Sequence, residues 1–155
     1  MAIAKSFRDL NVYREAQEAA QKTFQLGRGF PAEERYSLAD QIRRSSRAIK
    51  AMIAEARGRR RYKAVFVNKL DEVPGEATET QSSLDDARDA EYLSAEESNA
   101  LDSKCVLIGQ MLSRMIDQAD DFCKDSPATD YRAIPRVEEI EPGIGCSANI
   151  EQFFT

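Results

Sequence analysis

The stretch SAEESNALDSKCVLIGQMLSRMIDQADDF, residues 94–122, decides the fold. Leu101, Cys105, Ile108, Leu112, Met115, Ala119 and Phe122 recur along it at spacings of 4, 3, 4, 3, 4 and 3. That is the seam of a helix packed lengthwise against other helices, and it holds for three heptads. The start is marked as well. Ser94-Ala-Glu-Glu97 is a capping box, in which the Ser94 hydroxyl takes the Glu97 N–H and the Glu97 carboxylate reaches back to the Ser94 N–H.

Working outward, residues 35–58 repeat the pattern. Ala39, Ile42, Ser46, Ile49 and Ile53 follow one another at 3, 4, 3 and 4. A first helix is predicted from about Asp9 to Leu26, with Val12, Ala16, Ala19, Thr23 and Leu26 inward, closed by Gly27 and Gly29. Phe30-Pro31 turns the chain into the second helix. A third helix is expected from near Arg61 to about Glu91, burying Val65, Phe66, Leu70, Val73, Leu84 and Ala87. Pro74-Gly75 lies inside it. Proline lacks the N–H and crowds the carbonyl four residues back, at about 3 kcal/mol in a regular helix, so a kink or a short break is predicted there. The fold class is therefore all-α, a four-helix up-down antiparallel bundle over residues 1–125. Residues 126–155 carry three prolines, two glycines and no sustained period, and are expected to form an extended or partly disordered C-terminal tail. Phe153 and Phe154 near its end offer an alternative as a docking plug.

The 155 residues contain 22 Lys or Arg against 27 Asp or Glu, a net charge of −5. With no histidine present, a Ser-His-Asp triad, a Cys-His pair, His-ligated zinc and a Glu-x-x-His di-iron bundle are all excluded. Cys105, Cys123 and Cys146 have no C-x-x-C spacing, and Cys105 lies on the apolar seam as a small hydrophobe. The glycines fit no phosphate-loop pattern, and Ser45-Ser46 has no general base beside it. Asp117, Asp120, Asp121 and Asp125 have a spacing compatible with a hard cation but read better as a solvated face. No metal or cofactor is expected. Neither a signal-peptide core nor a membrane-length apolar window is present, which predicts a cytoplasmic protein.

In order along the chain, a series of residues resembles one bacterial family. They are Phe7, Leu10 and Ala16; then Phe30-Pro31, Glu34, Arg35-Tyr36, Leu38 and Gln41-Ile42-Arg43-Arg44; then Ile49, Ala51 and Ile53-Ala54-Glu55; then Glu79-Thr80-Gln81 and Tyr92-Leu93-Ser94. Together they cover roughly residues 6–122. The sequence resembles the four-helix-bundle intervening-sequence proteins encoded within ribosomal RNA genes, a family similar to the accessory variability proteins of diversity-generating retroelements. Members usually carry Pro-Ala-Asn-Ile-Ala-Glu-Gly in the second helix, where this chain reads Lys50-Ala51-Met52-Ile53-Ala54-Glu55-Ala56. A small residue is usual where Val73-Pro74 stands, and a Gly where Glu91 stands. The resemblance implies a left-handed bundle, a pentameric ring with a central channel, and no enzymatic activity. In the retroelement relatives it further implies a basic surface associated with nucleic acid and a reverse transcriptase partner.

Charge is divided along the chain. Residues 1–65 hold 15 Lys or Arg and 7 Asp or Glu, net +8, whereas residues 66–155 hold 7 and 20, net −13. Arg43, Arg44, Arg47, Lys50, Arg57, Arg59, Arg60, Arg61 and Lys63 form a basic stripe along the second helix and the turn after it. Two readings compete. In the first, the stripe neutralises RNA or DNA phosphates with Tyr62 as a stacking face, in an accessory protein acting alone or with a polymerase. In the second, it pairs with Glu79, Asp85, Asp86 and Asp89 at helix or subunit edges, in an assembly or scaffold module for protein partners. A pI near 4.9 weighs toward the second.

Overall fold

The four apolar stripes converge in the computed structural model, which describes residues 5–124. Among these residues there are no strands. Four long helices run Asn11–Gly27 (α1), Leu38–Gly58 (α2), Lys63–Asp89 (α3) and Ala95–Asp117 (α4), followed by a short α5, Ala119–Lys124. Single 3-10 turns, Phe7–Asp9 and Ala32–Glu34, precede α1 and α2. Each long helix packs on two neighbours, α1 on α2 and α4, and α3 on α2 and α4. Short connections between such neighbours make them antiparallel, giving an up-down four-helix bundle. The expected tail, Cys146 and Asp125 lie outside the described residues.

The seams read from the sequence are the ones buried. Ala39, Ile42, Ser46, Ile49 and Ile53 of α2, and Leu101, Cys105, Ile108, Leu112 and Met115 of α4, all face the core. The Ser94 Oγ accepts the Glu97 N–H at 3.1 Å, and the Glu97 carboxylate accepts the Ser94 N–H at 2.9 Å. Those hydrogen bonds hold the Glu97 carboxyl below its ordinary pKa. Burial pushes the Cys105 thiol up to about 11, which keeps it a protonated packing group.

Three expectations are corrected. Helix α3 runs unbroken through Pro74, so of the kink or short break expected there the break is absent. Phe66, Leu70 and Val73 before the proline and Ala77 after it are all buried, and this continuous apolar face outweighs the missing hydrogen bond. Val65 is exposed, one position off the Phe66 seam. The fourth helix stops at Asp117, and the seam continues across Gln118 into α5. There Ala119 is buried and the Phe122 ring stacks on Phe66, with centroids 6.1 Å apart.

The core has two apolar compartments. One holds Ala16, Ile49, Ile53, Phe66, Leu70, Ile108 and Leu112; the other holds Phe30, Ile42, Leu84, Leu93 and Leu101. Between them in sequence on the first three helices lie buried hydroxyls, Thr23 on α1, Ser45 and Ser46 on α2, and Thr80 and Ser83 on α3; Ser98 at the start of α4 is buried beside the second compartment. Ser45 and Thr80 are hydrogen-bonded at 2.8 Å, joining α2 to α3. Between α4 and its two neighbours, Lys104 reaches Glu15 at 2.7 Å and Glu18 at 3.0 Å, and Gln81 donates to Asp102 at 2.7 Å.

Candidate nucleic-acid interface

The nine basic residues do not form one surface. In the first half of α2, Asp40 accepts from Arg43 at 2.7 Å and lies 3.4 Å from Arg44. The Arg43 guanidinium, with those of Arg44 and Arg47 nearby, holds the Asp40 carboxyl below its ordinary range. Arg44 nevertheless projects, its side chain 73% exposed. The Arg47 guanidinium lies 5.6 Å from the ring centroid of Phe24 on α1. Lys50 is half-buried. Arg57 is buried, so the stripe is interrupted before the helix ends.

The second group surrounds the α2–α3 turn. Gly58 ends the helix, and the chain reverses through Arg59–Tyr62 with Tyr62 N–H donating to the Arg59 carbonyl at 3.0 Å. This tight reversal fans Arg59, Arg61 and Lys63 into solvent, with Arg60 half-buried behind them. Arg59 pairs with Glu55 at 2.9 Å and Lys63 with Asp120 of α5 at 2.8 Å, which holds the Asp120 carboxyl low. Arg61 lies 5.6 Å from the ring centroid of Tyr62, itself 60% exposed. The Nε of Arg60 is buried without a hydrogen-bond partner.

The acids expected to neutralise the stripe are mostly occupied or placed elsewhere. Asp85 and Asp89 pair with Arg88 of their own helix, at 3.3 and 4.0 Å. Asp86 borders a shallow cavity shared with Arg44 without closing an ion pair. Among the described residues, no three His, Cys, Asp or Glu side chains are grouped to hold a metal ion, and Asp120 and Asp121 are paired with Lys63 and Lys124.

Sequence reasoning missed Arg28 and Arg35. The α1–α2 turn brings both beside Arg43, around a cavity of about 360 Å³. The available signal was their position on either side of Phe30-Pro31, which folds the chain back on itself.

The model of the 23S rRNA-intervening sequence protein family matches residues 8–114. The chain belongs to that family. The match covers α1 to α3 and most of α4, including every residue of the basic stripe. Among solved structures, a protein of unknown function from the S23 ribosomal protein family of Bacteroides thetaiotaomicron is similar at 28% identity and a TM-score of 0.62. The alignment covers 68% of this chain and 95% of that one. No curated protein matches the sequence. No helix among the described residues is long and apolar enough to cross a membrane.

Proposed function

We propose that this intervening-sequence protein is a non-enzymatic accessory protein that binds RNA or DNA through the exposed basic residues of α2 and the α2–α3 turn. The observation that carries the reading is the fan of Arg59, Arg61 and Lys63 around one tight reversal, with Tyr62 exposed beside them. Phosphates supply what guanidinium and ammonium groups bind, and an exposed ring offers a stacking face to an unpaired base. The present partners Glu55 and Asp120 are themselves solvent-exposed, and such pairs contribute little, so a polyanion can displace them. Arg44, in the first half of α2, displays a second, separate exposed guanidinium. The resemblance to ring-forming relatives supports a homo-oligomeric ring, expected to be a pentamer, that repeats this basic turn around its circumference.

The alternative is an assembly module for protein partners without nucleic acid. It draws support from the pairing of Arg43 and Arg44 with Asp40, in which basic groups are already engaged by an acid, and from Asp86, which borders the same cavity as Arg44. Light scattering after size-exclusion chromatography, at about 50 and about 500 mM salt with and without mixed RNA, separates the two. The nucleic-acid reading expects an oligomer that gains mass with RNA at the lower salt only, because phosphate contacts weaken steeply with salt. It also expects that gain to vanish in Arg59→Ala/Arg60→Ala/Arg61→Ala. An oligomer that ignores RNA and loosens at high salt would transfer the function to the scaffold reading.

A further inference from the structure

The cavity at the α1–α2 turn has a composition that the basic stripe does not explain. Three guanidinium groups border it, from Arg28, Arg35 and Arg43, and among the described residues no acidic side chain does. Arg43 is held by Asp40, but Arg28 and Arg35 are exposed and have no ion-pair partner among the described residues. Two aromatic rings complete the walls. Phe30 is buried at the turn, while Phe24 is 39% exposed and lies beneath Arg47. Thr23, also on the wall, is 2% exposed, and its Oγ1 is buried without a hydrogen-bond partner. A buried hydroxyl left unpaired is costly, so this wall carries a polar group that the fold itself does not satisfy.

We infer that this cavity binds a nucleoside 5′-phosphate, with the phosphoryl oxygens among Arg28, Arg35 and Arg43 and the base against Phe24. Planar guanidinium forks match phosphate oxygens in pairs, and an exposed ring beside them suits a ligand that is anionic at one end and flat at the other. The volume of about 360 Å³ lies at the small end of ligand pockets, the scale of a single nucleotide. The inference deepens the nucleic-acid reading, naming a terminal nucleotide as the group recognised. It uses the opposite end of α2 from the Arg59–Lys63 turn, so either site can fail without the other. The nucleotide has two possible sources: a free mononucleotide or the 5′ end of a strand.

Calorimetric titration of the full chain with AMP, adenosine and inorganic phosphate tests the site. AMP should saturate at least about tenfold more tightly than phosphate or adenosine, because it alone makes both charged hydrogen bonds and a ring contact. Arg28→Ala/Arg35→Ala should weaken AMP by about tenfold or more with an unchanged thermal midpoint. Arg35→Lys, which keeps the charge and loses the fork, should weaken it by a smaller factor. Arg59→Ala/Arg60→Ala/Arg61→Ala should leave AMP affinity unaltered, whatever it does to RNA binding. A preference for 5′-phosphorylated over 5′-hydroxyl RNA of one sequence identifies the strand end as the source; equal affinity, with AMP still bound, identifies the free nucleotide. Absence of saturation by AMP, phosphate binding as tightly as AMP, or wild-type AMP affinity in the Arg28→Ala/Arg35→Ala protein would each overturn the inference.

Discussion

Glu91 stands in the left-handed region at φ 60°, while no glycine among the described residues has a positive φ. The reason lies in how α3 ends. The Tyr92 N–H donates to the Ala87 carbonyl at 2.8 Å and the Glu91 N–H to the Arg88 carbonyl at 2.9 Å, the paired bonds of a Schellman motif. That motif needs left-handed backbone at Glu91, and it delivers Tyr92 and Leu93 onto the Phe30 compartment of the core. A side chain in this conformation costs about 1–2 kcal/mol, and the family's usual residue here is glycine. Glu91→Gly is therefore expected to stabilise the bundle by about 1 kcal/mol after the greater flexibility of unfolded glycine is counted, raising the thermal midpoint by about 3 °C in calorimetry. A lowered midpoint would mean that the glutamate side chain supports the turn in a way its backbone angles do not express. The position could be picked out in the sequence as a departure from the family pattern, but its conformation could not, because the glutamate itself carries no signal for left-handed backbone.

At the scale of the element, α2 and α4 were legible almost residue by residue, because a sustained 3-4 spacing admits one buried face and Ser94 fixes where α4 begins. Helix α3 was less so. Its apolar positions are interrupted by Pro74-Gly75, and local propensity argued for a kink or a break there; the packing of Phe66, Leu70, Val73 and Ala77 keeps the helix continuous. The proline is exposed, so its ring makes no core contact that would be lost on substitution. Pro74→Ala is expected to stabilise the protein by about 2 kcal/mol, the ~3 kcal/mol helix penalty less the roughly 0.4–1 kcal/mol that proline gains by restricting the unfolded chain. Gly75→Ala should add about 0.8–1 kcal/mol, since a Cβ there meets nothing within 4 Å. Urea unfolding followed by circular dichroism reads both. A destabilised Pro74→Ala protein would show that the helix requires the proline's geometry at this point.

For the whole molecule, the basic stripe was visible as a composition but not as a surface. Periodicity placed Arg57 beside its neighbours, and only the packing of the α2–α3 turn shows that it is buried while Arg59, Arg61 and Lys63 are displayed. Arg28 and Arg35 join Arg43 through a turn whose closure no linear spacing encodes. The same distinction bears on assembly. The seam of α4 is satisfied inside the bundle by Leu101, Cys105, Ile108 and Leu112, yet Val106 and Leu107 remain 48% and 41% exposed on its outer side. Two adjacent aliphatic side chains on the outside of a helix whose inward face is already filled are suited to a subunit boundary, where burial is favourable by about 25 cal/mol per Å². If the chain assembles as proposed, Leu107→Glu is expected to reduce the mass measured by light scattering while leaving the helical circular-dichroism signal intact, because the substituted residue does not face the core. A variant of unchanged mass would remove this face from the proposed assembly, and the charged ends of α2 would then be the next surface to test.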